Sequence, residues 1–182
     1  MTDEYHELLD LVDGEDKVVG TMLRGKVAEA NYRLDGKYVR FVNGFVVNKD
    51  GLVWAQIRSL RKFIAPGGLD YSVAEHVFAG EAYDQAIIRG FQEELGWQID
   101  PAKLLNLGVL PPTESKPVFD RFYALLDYAG PDPILNTDEF TSGEWMDIPA
   151  VRQQLATSSS PQKGSLAPAL DLLERALKER AQ

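Results

Sequence analysis

Cysteine is absent from the chain. That removes disulfides, thiolate metal sites and a cysteine nucleophile from consideration. Histidine is almost absent, with two among 182 residues, too few for a histidine-rich metal centre. No run approaches the roughly 18 consecutive apolar residues of a membrane-spanning helix. The opening MTDEYHELLDLVDGEDK is acidic and polar and has no apolar signal core. Positive charge is in deficit: 19 Lys and Arg against 28 Asp and Glu leave a formal −9, with a pI near 4.7. Such a surface repels polyphosphate backbones, so DNA and long RNA are not expected partners. A small anion stays within reach if a bound cation screens it. What is present is a chain with 45% hydrophobic residues, enough for one domain with one core. It shows no composition break and no internal repeat. A soluble, cytoplasmic protein is expected.

Tyr5 to Val12 has strand character, and DGED (13–16) supplies a turn before KVVGTML, which predicts an N-terminal hairpin. The stretch RGKVAEANYRLDGKY is partly helical in pattern, with a turn at LDG. YVRFVNGFVVNKDGLVWAQIRS reads as two strands joined by NKDG. FIAPGGLDYS has loop chemistry, and DYSVAEHVF reads as a short strand. PVFDRFYALLDYAG is a strong aromatic-rich strand, and GEWMDI another that runs into a helix near Ala150 to Leu155. ATSSSPQKGS reads as an exposed, flexible connection. The closing SLAPALDLLERALKER is an amphipathic helix, with Leu166, Leu170, Leu173 and Leu177 facing the core. This order predicts an α+β domain, a mixed β-sheet between helices. Its parts are a hairpin extension over 1–36, a core over 37–156 and a closing helix over 164–180. Trp54, Trp97 and Trp145 suit a core or an interface equally.

Residues 83–95 carry the clearest helical period. Ile87, Ile88, Phe91 and Leu95 recur at three- and four-residue spacing, and Gly96 is a natural stop. Glu93, Glu94 and Gly90 share one flank when projected at about 100° per residue. A glycine there costs the helix about 1 kcal/mol relative to alanine, and it needs a reason.

Glu81, Arg89, Phe91, Glu93, Glu94, Gly96 and Trp97 resemble the Nudix box, the signature of Nudix hydrolases. That pattern is a glycine, five residues, a glutamate, seven residues, then Arg-Glu-hydrophobic-any-Glu-Glu-any-Gly-hydrophobic. Two positions depart from it: Glu75 stands where the first glycine belongs, and Gly90 stands where a glutamate follows the arginine. The runs LLDLVDGEDKVVGTMLRGKV, PGGLDYSVAEHVFAGE and TDEFTSGEWMDIPAVRQQL are similar to the isopentenyl diphosphate isomerase-like branch of that family.

The resemblance implies a Nudix-like α/β/α sandwich and a pyrophosphohydrolase acting on a nucleoside diphosphate or a related small diphosphate. It also implies Mg²⁺, with Mn²⁺ as the alternative, since a polyanionic substrate needs charge neutralisation and Mg²⁺ takes oxygen ligands. The implied metal ligands are Glu93, Glu94, the Ala74 carbonyl and Glu81, the last either binding metal or oriented by Arg89. The implied catalytic set is Glu81, Arg89, Glu93 and Glu94, with Glu114 as an acid from outside the box and Glu139 as a further candidate. For Glu114 and Glu139 an ordinary loop role weighs more. Arg89 alone could be a surface ion pair. His76 matches a histidine of the isomerase-like relatives, and a buried, hydrogen-bonded strand histidine is the simpler reading. Isomerase chemistry itself is set aside, because such enzymes use a cysteine. Glu75 is either a replacement for the acid lost at Gly90 or a mark of decay. A ligand-binding module without catalysis therefore stands beside the hydrolase. Nudix domains frequently pair, so a homodimer is compatible with the reading.

Overall fold

The structure is a computed structural model that describes residues 3–62, 64–114, 116–180 and 182. The first two residues of the expected extension, and residues 63 and 115 within two expected loops, lie outside that description. Strand β1 (Leu8–Val12) pairs antiparallel with β2 (Val18–Leu23). Asp13 closes their turn: its Oδ1 accepts from the N–H groups of Glu15 (2.8 Å) and Lys17 (3.1 Å), the local bond that makes Asp a turn former. The expected strand from Tyr5 is corrected, since Asp3–His6 is one 3₁₀ turn and the strand starts at Leu8. The hairpin buries Leu9 and Leu11 against Val27 of helix α1 (Arg24–Glu29), Leu34, Val39 and Val118.

The main sheet is organised by β3 (Val39–Asn48), which runs parallel to β8 (Val118–Tyr128) along its length. Since β8 fills one edge of β3, two strands must share the other. β6 (Val73–His76) pairs with residues 41–44, and β4 (Val53–Arg58) pairs at Val47, both antiparallel. The sheet therefore forks between Gly44 and Val47, where the β3 backbone would lack partners. Ser72, fully buried, fills the gap: its Oγ accepts from the Val46 N–H (2.9 Å) and donates to the Trp54 carbonyl (2.6 Å). Buried Gln56 donates to the Tyr71 and Ser72 carbonyls. Backbone polar groups buried at a fork need such substitutes. β5 (Leu69–Asp70) and β9 (Phe140–Met146) flank β4, and β7 (Leu104–Leu110) flanks β8.

Alternation along the strands loads both faces. Val42 and Val46 of β3 point to α2 (Tyr83–Leu95), while Phe45 and Val47 point to the side covered by α3 (Ile148–Thr157) and α4 (Leu166–Arg180). The result is the mixed sheet between helices, with an N-terminal hairpin, that the sequence predicts. Trp54 is buried in the core on the α2 face, its ring centroid 5.3 Å from that of Trp145. Among the described residues no helix is long and apolar enough to cross a membrane.

One loop is not what its composition suggests. The segment after α3 is held against β5: Gln162 Oε1 accepts from the Leu69 N–H (3.0 Å), Lys163 pairs with Asp70 (2.5 Å), and buried Ser165 shares a hydrogen bond with the Tyr71 hydroxyl (2.7 Å). Ser, Pro, Gln and Gly mark a turn-rich segment, but their polar groups here serve a sheet edge rather than solvent.

Candidate active site

Helix α2 and strand β6 build the site between them. The helix starts where Gln85 Oε1 accepts from the Ala82 N–H (2.9 Å) and ends at Gly96, left-handed at φ 69°. Ala86, Ile87, Phe91 and Leu95 bury one stripe against the sheet. That rotation turns the adjoining flank, with Arg89, Gly90, Glu93 and Glu94, along β6. Gly90 is buried. A Cβ there would lie 2.7 Å from Val73 Cγ1 and 2.8 Å from Glu75 Cγ, inside the 3.5–4.0 Å at which carbon atoms pack. The glycine fits because the side chains of Val73 and Glu75 already fill the space that a Cβ at position 90 would take.

Arg89 is not a surface ion pair, for its side chain is only 18% exposed and lies over the Phe78 ring, 3.8 Å from its centroid. Its five N–H donors are all committed. Nε and Nη2 donate to the two oxygens of Glu81 (3.0 and 3.1 Å), and Nη2 also to the His76 carbonyl (2.7 Å). Nη1 donates to Glu75 (3.2 Å) and Glu93 (3.0 Å). Glu81 Oε2 additionally accepts from the Phe78 N–H (2.9 Å). Glu81 is thus gripped as a bidentate partner, the strong form of such pairs.

Glu94 lies on the other side of the close approach and accepts from the Ala74 N–H (2.8 Å). In an antiparallel pair a residue's N–H and C=O face the same way. The Ala74 carbonyl therefore lies on the outer edge of β6 beside Glu94, as the His76 carbonyl lies beside Arg89. Glu93 is 54% exposed. These acids crowd one another. Burial pushes the Glu75 carboxyl up to about 7, with Arg89 opposing and Glu93 adding to the rise. Burial and the neighbouring Glu75 push Glu94 well above the carboxylate range, against the pull of the Ala74 N–H.

Both groups hold protons more tightly folded than unfolded. For Glu75 the stability this brings is complete below about 4.5 and is lost as pH climbs through about 7; for Glu94 it is likewise lost as pH rises. For Glu75 alone the loss is about 3 kcal/mol. Urea unfolding in chelator should show a less stable protein at pH 8 than at pH 5, and Mg²⁺ should close the gap. Equal or greater stability at pH 8 without metal would contradict the crowding.

The other sequence candidates fall elsewhere. His76 is 6% exposed, with Nε2 3.2 Å from the Tyr32 hydroxyl and its ring against Phe41; burial holds its pKa well below the usual value. It is the buried strand histidine. Glu139 pairs with Lys62. Glu114 is exposed on the connection between β7 and β8. Among the described residues no three acidic or histidine side chains already form a metal cage.

Sequence reasoning missed a buried polar array next to Glu94. Asp70 of β5 joins Arg58 and Lys163, while Lys116 joins Asp120 and Ser165. The charges of Asp70 and Lys163 act on Glu94. Four separate chain segments supply it, so no spacing signals it.

Comparison with known proteins agrees with this geometry. The NUDIX domain matches residues 37–169. A Nudix hydrolase from Deinococcus radiodurans is 34% identical over 174 residues, 95% of each chain. An uncharacterised Nudix hydrolase from Nostoc is 33% identical over 162 residues, 88% of this chain and 91% of its own. The crystal structure of a Deinococcus radiodurans protein superposes with a TM-score of 0.75 at 32% identity, covering 92% of this chain and 98% of that one. On the box residues, the sandwich and these matches together, the chain belongs to the Nudix family.

Proposed function

We propose that the protein is a Mg²⁺-dependent hydrolase of diphosphate linkages in nucleoside diphosphates or related small molecules, with Mn²⁺ as the alternative cation. The observation that carries the reading is the excess of negative charge at the α2–β6 junction. Glu75, Glu81 and Glu93 share one guanidinium, and half-buried Glu94 lies on the same flank, its charge coupled to that of Glu75. Glu75 and Glu94, raised by burial with a neighbouring acid adding to the rise, mark a place that a cation would relieve. The donors are all hard oxygens, which suits Mg²⁺; this ion keeps several waters and needs few protein ligands. Nudix enzymes generally use Mg²⁺ or Mn²⁺.

Glu93, Glu94 and the Ala74 carbonyl would hold the cation. Bound there, it would neutralise the phosphates and ease attack by water. Arg89 and Glu81, each already committed, act as positioning residues that lock the helix flank to β6. In the reaction the oxygen of water bonds to phosphorus, the bridging P–O bond breaks, and a carboxylate accepts the proton of the attacking water. Isomerisation by a cysteine has no residue to perform it.

The test is phosphate release from a panel of nucleoside di- and triphosphates and diphosphate conjugates, with Mg²⁺, Mn²⁺ or chelator. Turnover that stops in chelator is expected. No turnover on any substrate, with nucleotide binding indifferent to chelator, would make the protein a binding module that has kept the fold.

A further inference from the structure

The two departures from the Nudix box occupy one place in space. Glu75 belongs to β6 and Gly90 to α2, 15 positions later in the chain. A Cβ built on Gly90 would meet Glu75 Cγ at 2.8 Å and Glu75 Cβ at 3.6 Å. The Glu75 stem thus runs through the volume that a side chain at position 90 would fill. It delivers its carboxylate to Arg89 Nη1 (3.2 Å), the nitrogen that also holds Glu93 (3.0 Å). Each position has gained what the other has lost: the strand gives up a glycine for an acid, and the helix gives up an acid for a glycine. Decay of the site would leave Gly90 facing a gap or an apolar filler. Instead the gap holds a carboxylate that is 16% exposed and hydrogen-bonded at the centre of the cluster.

We infer that Glu75 supplies from the strand the carboxylate that the box supplies from the helix, and so completes the cation site at this junction. The inference rests on the hydrolase reading above, and it adds a residue that the box pattern does not contain. Glu75 works in concert with Glu93 and Glu94. It reaches the site from β6, and Gly90 is the opening through which it passes.

The experiment is a Mn²⁺ titration of the full-length protein, followed by the electron paramagnetic resonance signal of free Mn²⁺. Thermal unfolding of each variant is run alongside. Glu75→Gln keeps the stem over Gly90 and removes the charge. It should weaken Mn²⁺ binding at least about tenfold, the scale seen when supporting groups of a metal site are lost, while the unfolding midpoint holds or rises. Glu75→Gly should lose Mn²⁺ binding, and the exchanged pair Glu75→Gly with Gly90→Glu should recover most of it. Because Val73 Cγ1 also crowds position 90, the exchange is made with and without Val73→Ala. Mn²⁺ binding by Glu75→Gln within about twofold of the natural protein, with binding lost in Glu94→Gln, would reduce Glu75 to a space filler and overturn the inference. Unchanged binding in Glu93→Gln, Glu94→Gln and Glu75→Gln alike would overturn the cation site itself, and the inference with it.

Discussion

Glu94→Gln is expected to cut turnover by roughly 10²–10³-fold while leaving the protein as stable as before or more so. The loss follows from charge. A carboxylate holding a catalytic cation contributes several kcal/mol to the barrier, and each 1.36 kcal/mol is about a factor of ten in rate. The gain in stability follows from burial, since Glu94 is held well above its ordinary pKa by desolvation and by Glu75. At neutral pH its ionised form therefore costs the fold free energy. Glutamine has nearly the same shape, keeps an oxygen to accept from the Ala74 N–H (2.8 Å), and carries no charge. Activity and stability should move in opposite directions, as they do where a site is built at the expense of the fold. The stabilisation should be larger at pH 8 than at pH 5, because ionising a carboxyl with a raised pKa costs the fold more as pH rises. Steady-state turnover with Mg²⁺ and calorimetric melting at both pH values measure the two effects. Turnover within twofold of the natural protein, or activity lost together with the folded state, would refute the assignment.

Asp70→Ala should have the largest effect on folding, about 3–5 kcal/mol, the range for removing one partner of a buried ion pair. Asp70 is 3% exposed. Its oxygens meet Arg58 and Lys163 and accept from the Tyr71 N–H (2.8 Å). Burial alone would raise its pKa, but Lys163 and Arg58 outweigh that and hold it below the usual range. The stability it brings is therefore present above about 3.8 and is lost as pH falls through the lowered value. Without it, Arg58, itself 8% exposed, is left as a buried cation whose remaining side-chain hydrogen bond among the described residues is to the Ile64 carbonyl (2.8 Å). Lys163 loses one of the contacts that hold its loop to β5. At about 2–4 °C per kcal/mol for a chain of this size, the melting midpoint should drop by about 10 °C, and melting by circular dichroism reads it directly. A drop of less than about 2 °C would show that the two cations find solvent as readily as they find Asp70. Asp70→Asn should cost nearly as much, because the amide restores shape without charge.

The candidate site was half legible in the sequence. Ile87, Phe91 and Leu95 fix how α2 rotates on the sheet, and the positions of Arg89, Glu93 and Glu94 on the flank follow from helical geometry alone. The stop at Gly96 and the hairpin around NKDG were equally readable, since both rest on local backbone chemistry. The Ser-Pro-Gln-Lys-Gly segment was readable as a loop and unreadable as a packed one. Composition records which bonds a segment can make, and the partners, Leu69, Asp70 and Tyr71, lie some 90 residues away.

The sequence by itself determined that no cysteine is available for the chemistry, that Arg89, Glu93 and Glu94 share one helix, and that this helix is Tyr83–Leu95. Those are matters of residue type and of a 3.6-residue period. Tertiary structure alone decided what faces the helix. It placed Val73 and Glu75 against Gly90, engaged every donor of Arg89, and put Asp70 and Lys163 within electrostatic reach of Glu94. A period fixes the direction of a side chain about its own axis, but the distance to the opposing strand is set by the packing of the whole sheet. At Gly90 that packing brings the Val73 and Glu75 side chains into the space a Cβ would occupy.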